Sequence, residues 1–314
     1  MTRLAVVTPV FNDGTCLRHL LADLAHAGLP AEVDVVVVDD GSTIEVNLAP
    51  GSVPSELGSV SLLRLGANVG HQRAIAIGLV EVVQRGEHDA VAVIDSDGED
   101  RPADLGGLLG ALSGTPATVV VAQRRDRTEA VKFRAFYALY RLLFRLLTGR
   151  RLDFGNFSVM SMSAAQRLVL MPELWNHYPA TIMRSRLEIT RMPIDRGHRY
   201  AGRSRMSFAA LVNHGLAGIA AFIDTVFARL LVVASALTLV FGVVIAAAFV
   251  LRLAIGVPIP GWAALGASVA AIALVQVLVG LVVVSFLTLA ARSSVSPPPA
   301  DFASGYVVRL EKVT

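Results

Sequence analysis

Residues 91–102 read VAVIDSDGEDRP. An apolar run with the composition of a buried strand ends in Asp95, Asp97, Glu99 and Asp100. Carboxylates this close disfavour one another's charge unless a cation neutralises them. One residue separates Asp95 from Asp97, so in an extended chain both side chains lean to the same face and reach one cation. A hard divalent ion such as Mg²⁺ or Mn²⁺ takes oxygen ligands and bridges carboxylates to phosphates. Asp100 and Asp104 read instead as turn and cap residues around Pro102.

The same arrangement recurs upstream. Strand-like runs at 4–8, 33–38 and 61–65 lead into PVFND (9–13), DDGST (39–43) and NVGH (68–71). Between them, 16–27, 72–84 and 105–112 carry apolar residues at helical spacing, and 118–122 reads as a further strand. Alternating strands and helices predict an α/β fold, a mostly parallel sheet with helices on both faces. Ligands of such sheets bind beyond the carboxyl ends of the strands. Turn chemistry explains any one of these loops alone; four of them meeting at one edge make a site.

Hydrophobic residues make up 54% of the 314 positions and charged residues 17%, which points to a membrane portion. Residues 230–251 hold no charge and at about 1.5 Å per residue span about one bilayer. Arg229 and Arg252 bracket them, a Pro- and Gly-bearing connector follows to 262, and a second uncharged run extends from 263 to 291. Arginines at 196, 199, 203, 205, 229, 292 and 309 outnumber Arg252 in the connector, so the positive-inside rule puts both termini in the cytoplasm. The run 4–11 is short and contains Pro9, unlike a signal peptide. The net charge of +3 suits an anionic lipid surface or a phosphate-bearing substrate, and no nucleic-acid partner is expected. Cys16, the single cysteine, excludes an intramolecular disulfide. The segment 131–145 has an aromatic and leucine face with Lys132, Arg134, Arg141 and Arg145 beside it, as a helix at a lipid interface would; 208–227 is a second such segment. The tail YVVRLEKV (306–313) has strand composition and is available to a neighbouring subunit, which leaves a homo-oligomer open.

In order and spacing, TPVFND (8–13), VVVVDDGST (35–43), ANVGHQRAIAIGL (67–79) and VIDSDGEDRP (93–102) resemble a family 2 glycosyltransferase of the GT-A, Rossmann-like fold. RLDFGNFSVMS (151–161) is similar to that family's D-x-G-x-F segment and HRYAGRSRMSF (198–208) to its R-x-x-G-x-S-[KR] segment. With two late spans, the chain looks like the subgroup that glycosylates polyprenyl phosphates. The resemblance implies that Pro9, Phe11, Asp13, Asp40 and Asn68 bind a UDP- or GDP-sugar, with Asp13 where Glu is commoner. It implies that Asp95 and Asp97 hold the diphosphate through Mg²⁺ or Mn²⁺, with Glu99 a third ligand, and that catalysis centres on Asp95, Asp97 and position 156. Arg199, Ser204 and Arg205 would grip phosphates, and Arg124, Arg127 and Arg134 would bring in the acceptor. The implied organisation is a cytoplasmic catalytic domain over 1–205, a juxtamembrane segment over 206–228, spans near 230–251 and 265–290 in the inner membrane, and a cytoplasmic tail from 292.

Asn156 departs from the family, in which several members have an Asp there; Ser158 replaces a frequent Arg. A sugar hydroxyl acceptor requires a general base, whereas a lipid phosphate with a second pKa near 6 is already largely ionised at pH 7. The missing Asp is therefore tolerable with a lipid phosphate, and the reaction that the resemblance implies is inverting transfer of a sugar to a polyprenyl phosphate. Two alternatives stand beside it. One is extension of a polysaccharide or glycolipid, although neither Trp175 nor Trp262 lies in the Gln-x-x-Arg-Trp motif of processive relatives. The other is a non-catalytic membrane scaffold with a degenerate site.

Overall fold

The computed structural model describes residues 2–48, 51, 53–114, 118–124, 131–202, 208–256, 260–293 and 298–313. The order is β1 (Thr2–Val10), α1 (Gly14–His26), β2 (Ala31–Asp39), β3 (Ser59–Leu65), α2 (His71–Arg85), β4 (Ala90–Val93), α3 (Leu105–Gly114), β5 (Val119–Arg124) and α4 (Val131–Thr148). Then come β6 (Ser158–Ser161), α5 (Met162–Leu168), α6 (Tyr178–Arg184), β7 (Ile189–Ile194), α7 (Phe208–Ala220), α8 (Ile223–Ile255), α9 (Gly261–Ser293), α10 (Pro299–Phe302) and β8 (Val307–Lys312).

The first compact unit comprises residues 1–141, 151–221 and 297–314 and holds an eight-stranded sheet, ordered β7-β5-β6-β4-β1-β2-β3-β8. Strands β4, β1, β2 and β3 run parallel, Val6 lying beside Val35 and Ala92. They are buried on both faces, which is why they read as continuous Val/Ile/Leu runs. On one face Leu4, Val6, Val35 and Val37 pack with Leu17, Leu20 and Leu21 of α1 and Leu105 and Leu108 of α3 in one core. On the other face α2 approaches so closely that a Cβ on Gly78 would meet the side chains of Val7 and Val38 at 2.5 and 2.9 Å. The expected α/β sheet with helices on both faces is present.

Two strands run against the parallel set. β6 inserts antiparallel between β4 and β5, and β8 pairs antiparallel with β3. The C-terminal strand expected to be available to a neighbour thus closes an edge of its own chain's sheet. Arg64 of β3 ties it down through Glu311, at 2.7 Å.

At the amino-terminal end of the parallel strands, Asp34 is 2% exposed. It accepts from Ser59 Oγ at 2.6 Å and Arg3 Nη2 at 3.0 Å, and its Oδ2 lies 2.9 Å from His88 Nε2. Burial alone would raise its pKa; the Ser59 and His88 hydrogen bonds and the His88 and Arg3 charges bring it below the ordinary 3.8. A carboxylate with a depressed folded-state pKa contributes stability that is complete above the unfolded value and is lost as pH falls through the folded value. Asp34→Ala is expected to lose about 3 kcal/mol at pH 7, the scale for breaking a buried pair. The gap from wild type should narrow below about pH 4, read in thermal melts across pH.

The second unit comprises residues 142–150 and 222–296. Phe144 meets the Phe222 ring edge-on at 5.9 Å, Arg150 lies over the same ring, and Arg229 donates to the Leu146 carbonyl at 3.1 Å. Helices α8 and α9 are each long and apolar enough to cross a membrane, with mean hydropathy 2.7. Almost none of their apolar side chains is buried, so they lack the protein cover that a soluble core helix has. Residues 230–251 and 265–290 fall within these two helices. Positive φ at Gly256 ends α8.

Candidate active site

The four parallel strands deliver their loops to one edge. Asn12, after β1, joins the first two loops. Its Oδ1 accepts the backbone N–H groups of Thr43 and Ile44 at 2.8 and 2.9 Å, while its own N–H donates to Ser42 Oγ at 2.8 Å. Its φ of 53° lies in the left-handed region that Asn tolerates better than most residues. Asp13 caps α1 through Cys16 N–H at 3.4 Å and turns its other oxygen to Arg199 at 3.3 Å. A cleft of about 450 Å³ opens here, lined by Asn12, Asp13, Arg18, Ile44, Glu45 and Arg199 among others.

Asp39 and Asp40 organise the second loop rather than facing solvent. Asp39 accepts from Ser42 N–H at 3.0 Å and from Arg64 at 3.2 Å. Asp40 is 3% exposed, and its two oxygens accept the N–H groups of Val69 and Gly70 at 2.7 and 2.9 Å. Burial raises its pKa, against those two hydrogen bonds. Asp40 thereby clasps the loop that carries Asn68. Gly41 lets the two loops touch: a Cβ there would lie 2.6 Å from the Ala67 and Asn68 backbone. Asn68 is exposed, Phe11 is 39% exposed, and Pro9 is buried within β1.

The acidic loop after β4 separates its carboxylates by partner. Asp95 receives Asn156 Nδ2 on both oxygens, at 3.2 and 3.3 Å. Asp97 accepts Glu99 N–H at 3.0 Å and Arg199 Nη1 at 2.8 Å. Glu99 forms an ion pair with Arg196. The segment 196–200 is zipped to this loop: Gly197 N–H donates to the Glu99 carbonyl and Tyr200 N–H to the Asp97 carbonyl, at 2.8 and 2.9 Å. The Tyr200 ring covers Gly98, whose φ is 89°, so a side chain at 98 would meet both a strained backbone and that ring. Among the described residues no group of three His, Cys, Asp or Glu side chains converges on a metal position. The two-carboxylate donor set of Asp95 and Asp97 still fits a cation that takes its other ligands from phosphate and water, as Mg²⁺ does. Asp104 forms two hydrogen bonds with Arg101 at 2.9 Å, and no side chain caps the turn it occupies.

Asn156 precedes β6 in a loop anchored by Asp153, which Gln123 and Arg191 hold at 2.9 and 3.1 Å. Ser158 is fully buried, donates to the Asn156 carbonyl at 2.9 Å and lies 2.6 Å from the Tyr178 hydroxyl. An arginine would have no room there. Beside this loop sit His71, His177 and His214, with ring centroids 5.4 Å (His71–His214) and 4.5 Å (His177–His214) apart. Burial pushes His177 down to about 3 and His214 to about 4, aided by neighbouring imidazoles, and lowers His71 as well, so all three are neutral at pH 7.

The site thus brings together Asp13, Asp95, Asp97, Asn156 and Arg199. Of the residues expected to meet the acceptor or its phosphate, Arg124 is described only in its main chain at the end of β5, and the side chain of Arg134 in α4 lies outside the described residues, as do Arg127, Ser204 and Arg205 altogether.

The model of Glycosyl transferase family 2 matches residues 5–172, more than half of the chain and all four loops. The chain belongs to that family. It is a glycosyltransferase. It is 26% identical over 231 residues to the uncharacterized glycosyltransferase YkoT of Bacillus subtilis (strain 168), covering 70% of this chain and 67% of the relative. It is 23% identical over 270 residues to an uncharacterized glycosyltransferase of Synechocystis sp., covering 83% and 82%. Among solved structures it is similar to glucosyl-3-phosphoglycerate synthase from Mycobacterium tuberculosis in complex with Mn²⁺, UDP and glucosyl-3-phosphoglycerate, at 18% identity, TM-score 0.49 and coverage of 73% and 80%. Asn12, which joins the first two loops, is not singled out by its sequence, although it lies within TPVFND (8–13).

Proposed function

We propose that this glycosyltransferase moves a sugar from a nucleotide donor to a polyprenyl phosphate in a membrane, with inversion at the sugar carbon. The observation that supports this reading is the carboxamide at position 156, hydrogen-bonded to Asp95: an amide takes up no proton in either orientation, so this position supplies no general base. A hydroxyl acceptor needs a base at the site; a phosphate, already ionised near pH 7, does not. Helices α8 and α9, long and apolar enough to cross a membrane, would place the enzyme where such a lipid resides.

In this reading 1–205 is the catalytic domain, 206–228 the juxtamembrane segment and 229–291 the spanning hairpin, with both termini cytoplasmic. Asp95 and Asp97 would hold a divalent cation, which when bound would supply positive charge to the departing diphosphate. Arg199 exchanges its carboxylate partners for phosphate oxygens, for which its planar fork is suited. Asn12 and Asp40 keep the donor loops in place. Catalysis is then mainly positioning and charge stabilisation.

A second reading has an observation of its own. His71 at the start of α2 is an imidazole that burial keeps neutral at pH 7, so a hydroxyl acceptor on a glycolipid or polysaccharide could use it as a base, although the same burial makes it a weak one. Purified full-length protein incubated with undecaprenyl phosphate, Mg²⁺ or Mn²⁺ and a panel of labelled UDP- and GDP-sugars separates the two. The expected product is an organic-extractable, acid-labile glycolipid with the mass of lipid phosphate plus one sugar. Product only on hydroxyl-bearing acceptors, or of high molecular weight, overturns the polyprenyl-phosphate reading.

A further inference from the structure

Gln72, in the first turn of α2, is 7% exposed. Its Oε1 accepts the backbone N–H of Tyr178 at 2.5 Å, and its Nε2 donates to Asn156 Oδ1 at 3.1 Å. Asn156 Nδ2 then donates to Asp95. A backbone N–H is only ever a donor, so it dictates which end of the Gln72 amide turns towards it. The opposite end is then the NH₂ group, which dictates that Asn156 present its oxygen. What remains for Asp95 is the Asn156 NH₂ group. Each amide is oriented by the one before it, starting from a main-chain group that cannot turn over.

The same corner holds the Asn156 backbone. Ser158 spends its one hydroxyl proton on the Asn156 carbonyl, so the Tyr178 hydroxyl donates to Ser158 Oγ. Tyr178, fully buried, therefore fixes Asn156 twice, through Gln72 and through Ser158. This much buried, directional hydrogen bonding exceeds what packing α2 against the sheet requires, and it terminates on Asp95.

We propose that Gln72 is a positioning residue that sets the direction of the Asn156 amide and so holds the Asp95 carboxylate in the orientation that receives the cation and diphosphate of the donor. The proposal rests on the assignment of Asp95 to that role. Residues that orient metal-binding groups typically matter by 10–100-fold in metal affinity or activity.

The test uses the full-length chain in detergent, with Mn²⁺ titrated in the presence of UDP or GDP. Midpoints are read from thermal shift and from transfer rate at saturating donor. A glutamate at 72 can only accept, so Gln72→Glu turns the Asn156 amide over and presents its oxygen to Asp95. Gln72→Glu is expected to raise the Mn²⁺ midpoint about 10–100-fold while changing the donor KM little at saturating Mn²⁺. In an Asn156→Ala background the same substitution should add less than about twofold, because the amide it acts through is gone. Gln72→Met, similar in length and without polar ends, should give a smaller rise that also vanishes in Asn156→Ala, and it serves if the glutamate variant does not fold. An equal loss in both backgrounds makes Gln72 a packing residue and overturns the proposal. An unmoved midpoint, with wild type responding to Mn²⁺, overturns the relay alone. A wild type that responds to neither Mn²⁺ nor Mg²⁺ with either nucleotide overturns the cation role of Asp95, and the relay with it.

Discussion

Asp97→Asn is expected to lower kcat/KM about a thousandfold, about 4 kcal/mol of transition-state stabilisation, with the melting temperature nearly unchanged. The amide has the shape of the carboxylate, so Oδ1 can still accept the Glu99 N–H that holds the loop at 3.0 Å. What disappears is the negative charge that faces Arg199 at 2.8 Å and that, in the proposed reaction, faces a divalent ion. Preorganised charge inside a cleft is commonly the largest single contribution to such a transfer. Asp104→Asn is the control. It removes a carboxylate from the same stretch of chain, but one paired with Arg101 outside the cleft, and activity should stay within about twofold. Initial rates at saturating Mn²⁺ and thermal melts of both variants decide the matter. An Asp97→Asn enzyme retaining a tenth of wild-type activity would remove Asp97 from the catalytic machinery.

The strands that carry the site were legible because they are buried on both faces. VDVVVV in β2 and LAVV in β1 leave little doubt about a central parallel strand, and the polar residues that follow them mark the carboxyl edge. The less legible strands lie elsewhere. β7, ITRMPI, is an outer strand in which Arg191 and Pro193 interrupt the apolar run, as edge strands tolerate. β8 is the opposite edge, with Val308 75% exposed, and its composition announces a strand without naming its partner. β6 has only four residues, SVMS, and its antiparallel insertion between β4 and β5 is a tertiary fact. The site divides in the same way. Asp95 and Asp97 announce themselves by charge at a strand end, whereas Arg199 stands out only through the resemblance of 198–208 to a family segment. Asn12 and Gln72 are single neutral amides whose importance comes from what lies across from them, 30 to 106 positions away in the chain. Asp40 shows the converse: a conspicuous acid whose two oxygens are occupied by the amides of a neighbouring loop.

Arg199→Ala is expected to reduce kcat/KM about a thousandfold and Arg199→Lys about a hundredfold, so that most of the loss survives with the charge restored. The reason is the fork. In the structure Nη1 reaches Asp97 at 2.8 Å, Nη2 reaches Asp13 at 3.3 Å and Nε donates to the Ala201 carbonyl at 3.1 Å. One planar group therefore spans from the helix-capping residue after β1 to the acidic loop after β4, and it anchors its own segment as well. A lysine ammonium is a compact charge on a flexible stem; it can pair with one carboxylate but cannot hold both while fixing residue 201. The two substitutions should differ in another readout. Without any cation at 199, Asp13 and Asp97 lose the charge they share, so Mn²⁺ added without nucleotide should stabilise Arg199→Ala against heat more than it stabilises wild type. In wild type the guanidinium already neutralises Asp97 and must be displaced or turned to phosphate when the donor arrives. Lysine should give an intermediate shift. If alanine and lysine lose activity equally and neither alters the Mn²⁺-dependent melting shift, Arg199 acts by holding the 196–200 segment against the Asp97 loop, and its contact with the donor phosphates is excluded.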